Sequence, residues 1–121
     1  MKLILVDEPD RTALARFLEP YPILASSLLL IVEAERAVAR RAGRPASALT
    51  ASFIGDLHLV DFDHVIADRA ASIGPATLRS LDAIHLATAM ELAESLGAFV
   101  TYDQRQADAG RLLGLPVVTP V

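Results

Sequence analysis

Cysteine is absent from the 121 residues, which excludes a disulfide framework and any thiolate metal site. Tryptophan is absent as well, and four Phe and two Tyr are all the aromatic content. Ala, Leu and Val therefore carry the 53% hydrophobic fraction, which suits α/β or all-α packing and excludes a disordered composition. No apolar run is long enough to span a bilayer. Positive charge is short: 11 Lys and Arg face 15 Asp and Glu, a net −4. Affinity for nucleic acid would then need a local basic face, bound cations or a basic partner. The start, MKLILVDEPD, has acids where a signal-peptide cleavage site belongs, so a cytoplasmic protein is expected. There is no Gly-rich phosphate loop, Ser-His-Asp arrangement or zinc motif. No internal repeat or linker divides the chain, so residues 1–121 read as a single domain.

What is present is an alternation of short apolar runs and helical patterns. Residues 2–6 (KLILV) are a strand or the tail of a helix. Asp10 is placed to cap a helix to about Leu18, which Glu19-Pro20-Tyr21-Pro22 stops. Ile23 to Ala25 is a strand candidate. Ser26 or Ser27 opens a helix to about Ala42, closed by Gly43 and Pro45. A short helix is expected over Ala46–Ile54, a strand over Leu57–Phe62, and a helix capped by Asp63 through Ala71. Ser80 is expected to cap a helix over Leu81–Leu96, ended by Gly97. A strand over Ala98–Tyr102, a helix over Gln104–Leu113 and a strand over Leu115–Thr119 complete the chain. Such alternation implies an α/β fold with a mostly parallel sheet flanked by helices. Ligands then gather outside the carboxyl ends of the strands.

Three acids stand out. At about 100° per residue, Asp82 falls on the helix face of Leu86, Ala89, Ala93 and Leu96, with Ser80, Thr88, Glu91, Glu94 and Ser95 opposite. A first-turn Asp is favoured by the helix dipole, but an unpaired carboxylate on a buried face is costly. A metal or a water-filled pocket removes that cost. Glu33 lies mid-helix beside Leu29, Leu30 and Ala37, where an ion pair with Arg36 is the simpler account. Asp103 follows an apolar strand and is equally well placed to cap the next helix. Converging at one sheet edge, the three would offer oxygen ligands suited to Mg²⁺ or Mn²⁺. Such ions activate water and stabilise charge on a phosphodiester. His85, three residues after Asp82, reads as a packed, hydrogen-bonded histidine; His58 and His64 have no partner motif, and Asp108 reads as a solvated helix acid.

The stretch LRSLDAIHLATAMELAESLGAFVTYDQRQADAGRLLGLPVVTP closely resembles the C-terminal half of PIN-domain proteins, specifically VapC-type toxins of bacterial toxin–antitoxin pairs. SSLLLIVEAERAV resembles their second acidic motif, and EPDRTALARFL is also in family style. The resemblance implies a PIN-like three-layer fold and an acid cluster that binds Mg²⁺ or Mn²⁺. It also implies RNA as substrate, a cognate antitoxin as partner, and a homodimer. Glu33, Asp82 and Asp103 match three family acids, and the resemblance makes them catalytic and metal-binding. The family's first strand, with its own Asp in a D-(S/T)-S-A-type motif, is not found. On this alignment the chain is N-terminally truncated, with that strand missing or replaced by residues 2–6. Asp7 is the candidate substitute, with a turn acid before Pro9 as the preferred account.

The expected function is thus a Mg²⁺-dependent endoribonuclease, with RNA contacts from Arg36, Arg40, Arg41 and Arg44, or from none of these if they form a solvated helix end. The alternative is a catalytically impaired PIN-like module that binds antitoxin or self-associates, which the unmatched first acid favours. A flavodoxin-like phosphotransfer domain is a third reading, but it needs a Lys that is not seen.

Overall fold

The helix Ser80–Glu91 is the element on which the others pack. Its sequence, SLDAIHLATAME, combines strong helix formers with little polar surface. Asp82, Ala83, His85, Leu86, Ala87, Thr88 and Ala89 are all buried, so this helix is enclosed on most sides. The computed structural model describes residues 11–21, 23–42 and 57–121. In chain order these contain α1 (Arg11–Leu18), β1 (Ala25–Ser27), α2 (Leu30–Ala42), β2 (His58–Val60) and α3 (His64–Ala71). There follow α4 (Ser80–Glu91), a 3-10 turn (Ala93–Ser95), β3 (Phe99–Val100), α5 (Gln104–Leu112) and β4 (Val117–Val118).

The strands pair in parallel, as the alternation of elements requires. β1 runs beside β2, with Ala25 opposite His58 and Ser27 opposite Val60. β3 runs beside β4, with Phe99 opposite Val117, and α5 is the crossover between them. Among the described residues these are two two-stranded sheets. The expected strand or helix tail at residues 2–6 and the expected helix at Ala46–Ile54 lie outside the described residues.

The core is centred on Leu86 and Ala89 of α4, which meet Phe99, Ala109 and Leu115. Ile73, Leu78, Met90, Leu96, Leu113 and Val117 close around them. Full burial of Leu86 and Phe99 stabilises the fold by roughly 1.5–3 kcal/mol each. α4 packs most extensively on α3, and Arg69 of α3 pairs with Glu91 of α4 at 3.0 Å.

Local signals account for several boundaries. Asp63 caps α3, its Oδ1 accepting from the Ile66 amide at 3.0 Å. α5 closes on Gly114, whose φ of +79° places it in the left-handed region. The Gly114 amide donates to the Arg111 carbonyl and the Leu115 amide to the Gly110 carbonyl, the paired bonds of a Schellman stop.

Five expectations are corrected. β1 is Ala25–Ser27, not Ile23–Ala25, and α2 begins at Leu30 rather than at the serines. Ser26 and Ser27 are almost fully buried in the parallel pair, and the Ser27 hydroxyl accepts from the Leu29 amide, which mimics a helix start just before the real one. Arg79, in extended conformation, is the N-cap of α4, with Ser80 inside the first turn. The helix ends at Glu91 instead of Leu96, where the backbone tightens into the 3-10 turn. Thr88 is buried, not solvent-facing, and its hydroxyl donates to the Ile84 carbonyl at 2.8 Å. A helix enclosed on most sides has no opposite face for it to occupy.

Candidate active site

At the carboxyl end of β3 the chain leaves the sheet through Thr101, Tyr102 and Asp103. Asp103 is the N-cap of α5: its Oδ1 accepts from the Gln106 amide at 3.0 Å. Its second oxygen, Oδ2, accepts from Arg79 Nη2 at 3.4 Å. Arg79 Nε also donates to Asp82 Oδ2 at 3.0 Å. One guanidinium thus joins the acid of the α4 first turn to the acid that starts α5. The Asp82 side chain is 6% exposed and that of Asp103 25%, whereas Arg79 is 67% exposed.

Glu33 of α2 approaches α4 one turn further along. Its Oε1 lies 2.5 Å from Nε2 of His85, a residue without solvent exposure. Glu33 is also near enough for its charge to act on Arg79. The Arg79 guanidinium is held above its ordinary pKa first by the hydrogen bond to Asp82 and then by the Asp82 charge; partial burial opposes this, and Asp103 and Glu33 add to it. The three predicted acids are therefore brought to one region, from two helices and one strand end. Asp82 points into the interior as its helical angle implies.

A buried polar pair holds this edge together. The Thr101 hydroxyl donates to Gln106 Oε1 at 2.6 Å and accepts from the Asp103 amide at 3.1 Å. Gln106 Nε2 donates to the Asp82 carbonyl at 3.4 Å. Thr101 and Gln106 are both fully buried, so these bonds tie β3, α5 and the first turn of α4 into one frame.

Asp82, Asp103 and Arg79 line a cavity of about 340 Å³ together with Thr77, Gln104 and Arg105. A second cavity, lined by Phe17, Tyr21, Leu92 and Leu96 among others, contains no carboxylate. Carboxylate oxygens are the donors that hard divalent cations select, and Asp82 and Asp103 already share a positive charge. The two residues fit a Mg²⁺ or Mn²⁺ ion on this ground. Among the described residues, no group of three His, Asp or Glu side chains is arranged to hold a metal as they stand; Glu33 contacts His85.

Sequence reasoning missed Arg79, Arg105, Thr101 and Gln106. The one signal for Arg79 was its spacing of three from Asp82. Of the predicted RNA-contacting arginines, Arg36 and Arg40 are exposed on α2. The side chain of Arg41, and Arg44 and Asp7 entirely, lie outside the described residues. Asp108 is exposed and pairs with Gln104 and Arg111.

The PIN domain family matches residues 2–112. Ribonuclease VapC46 of Mycobacterium tuberculosis is 41% identical over 121 residues, covering 95% of this chain and 88% of that protein. Ribonuclease VapC47 of the same organism is 39% identical, covering 97% and 89%. Ribonuclease VapC35, again from M. tuberculosis, is 38% identical, covering 99% and 90%. No solved structure gives a significant match. With the parallel strands, the acids at their carboxyl edge and these relatives, the chain belongs to the PIN-domain family as a VapC-type member.

Proposed function

We propose that this protein is a Mg²⁺- or Mn²⁺-dependent endoribonuclease, the toxin of a bacterial toxin–antitoxin pair. The observation that carries this reading is the meeting of Asp82 and Asp103 on one guanidinium, with Glu33 close by, in a chain related to VapC ribonucleases. Asp82 and Asp103 would hold the ion, with Glu33 as the third acid. A divalent cation there supplies Lewis acidity toward a phosphodiester oxygen and lowers the pKa of water.

The residues of the chain have separable tasks. Asp82 and Asp103 present fixed negative charge, each at a helix N-terminus that stabilises it. His85 orients Glu33. Thr101 and Gln106 fix the relative positions of the two aspartates. Arg105 on the cavity wall, and Arg36 and Arg40 on α2, offer the local positive charge that a chain of net −4 needs for RNA. A cognate antitoxin and a second copy of the chain are the proposed protein partners; Ile31 and Val32, exposed on α2, supply apolar surface for one. No helix among the described residues is long and apolar enough to cross a membrane.

The competing reading is an impaired PIN-like module that binds antitoxin or self-associates. It draws on the same ion pairs, because Arg79 already satisfies both aspartates without a metal. Incubation of RNA with the purified protein in Mg²⁺ or in excess EDTA separates the two. The nuclease reading expects cleavage in Mg²⁺ and none in EDTA. Intact RNA under both conditions would favour the impaired module.

A further inference from the structure

We propose that Arg79 is a built-in counter-ion for the aspartate pair, which a divalent cation must displace in order to bind. The inference rests on the metal-dependent reading above. It makes Arg79 a positioning residue that sets the metal affinity of the site.

The geometry is unequal in a way that suits exchange. Both acids are fixed. Asp82 is in the first turn of α4 with a nearly buried side chain. Asp103 is pinned through Oδ1 by its cap to the Gln106 amide, which leaves Oδ2 on the Arg79 side. Arg79 is the reverse: a long side chain at a helix N-cap, two-thirds exposed, with no side-chain capping bond of its own. Its contacts of 3.0 and 3.4 Å to the two aspartates are partly solvated ion pairs, which are weak and salt-screened. Its head group, both aspartates and Arg105 share one cavity.

Two carboxylates facing one space repel each other unless a cation stands between them. Without metal, the guanidinium does this and keeps the edge of the site assembled. A doubly charged ion competes for the same oxygens, and the exposed arginine can withdraw into solvent without disturbing the helix that carries it. The affinity of the site for a cation is therefore lower than the two aspartates alone would give.

The test is isothermal titration of metal-free protein with Mn²⁺, comparing wild type, Arg79→Gln, Asp103→Asn and Arg69→Gln. Arg69 pairs with Glu91 outside this cavity, so its substitution removes the same net charge elsewhere. Arg79→Gln is expected to bind Mn²⁺ about three- to tenfold more tightly, the span for loss of two partly exposed ion pairs. Its metal-free form is expected to melt lower than wild type and to gain more from Mn²⁺. Arg69→Gln is expected to match wild type. A wild-type site that Asp103→Asn abolishes, with equal or weaker binding by Arg79→Gln, or with an equal gain in Arg69→Gln, overturns the counter-ion while leaving the metal site standing. No Mn²⁺ binding by wild type or by Arg79→Gln, or wild-type binding that Asp103→Asn leaves unchanged, overturns both.

Discussion

Glu33 and His85 are 52 positions apart in sequence, yet Oε1 of one lies 2.5 Å from Nε2 of the other. His85 is fully buried, and among the described residues its Nδ1 has no hydrogen-bond partner, so the contact of Nε2 with Glu33 is the polar anchor of the ring. The contact clamps α2 to α4 and fixes where the third acid stands. His85→Leu keeps comparable volume and removes the polar contact. It is expected to destabilise the protein by roughly 1–3 kcal/mol in a urea melt, the cost of losing one hydrogen bond to a partly buried carboxylate. It is also expected to weaken Mn²⁺ binding, because Glu33 loses the group that orients it. Unchanged stability and unchanged binding would show that the contact orders nothing.

Gly110 in α5 packs where a side chain does not fit. A Cβ there would stand 2.8 Å from Val117 Cγ2 and 3.3 Å from Leu86 Cδ2. Gly→Ala within a helix ordinarily stabilises by about 1 kcal/mol. Here the overpacking cost of roughly 1–3 kcal/mol opposes it, with a β-strand side chain on one side and a core leucine on the other. Gly110→Ala is expected to lower the melting temperature; a higher one would mean that β4 yields easily.

Asp63 and Asp103 make the same capping bond, from Oδ1 to an amide three residues on, at 3.0 Å in each case. Their substitutions should separate structure from function. Asp63→Ala is expected to cost about 1 kcal/mol of stability and to leave RNA cleavage unchanged. Asp103→Asn retains a capping oxygen, so its stability is expected to stay within about 0.5 kcal/mol of wild type while cleavage is lost. Thermal melts and cleavage assays on the two variants check this pair of outcomes.

These contrasts also show what the sequence made legible. α3 was readable to the residue because an Asp cap preceded a plain helical run. The burial of Asp82 agrees with its helical angle, but the same angle put Thr88 on the opposite side, and α4 buries both. β1 was misplaced because Ser26 and Ser27 look like a helix start, and only their burial beside β2 makes them strand. Arg79 was passed over because an Arg three residues before an Asp is common on solvated helix ends. Its second contact, to Asp103, spans 24 positions and has no local signature. The Thr101–Gln106 bond is silent for a similar reason: neither residue type announces burial.

The ion pairs of Arg79 have a further signature in pH. Its folded-state pKa is raised, so its contribution to stability is fully present below the unfolded value and is lost only as pH rises through the still higher folded one, in strongly alkaline solution. The stability difference between wild type and Arg79→Gln is therefore expected to be constant between about pH 6 and about pH 9, where arginine does not titrate. Melts at both ends of that range measure it. A difference that vanishes at either end would place its origin in another group.

The central claim is that Asp82 belongs to a metal-dependent RNA-cutting site. The most direct measurement is the rate of RNA cleavage in Mg²⁺ by wild type and by Asp82→Asn, with matched thermal melts to confirm folding. Asn keeps the size of the side chain and removes its charge. The account predicts cleavage by wild type and a rate lower by roughly 100-fold or more in the folded variant. Equal cleavage by the two proteins would contradict it.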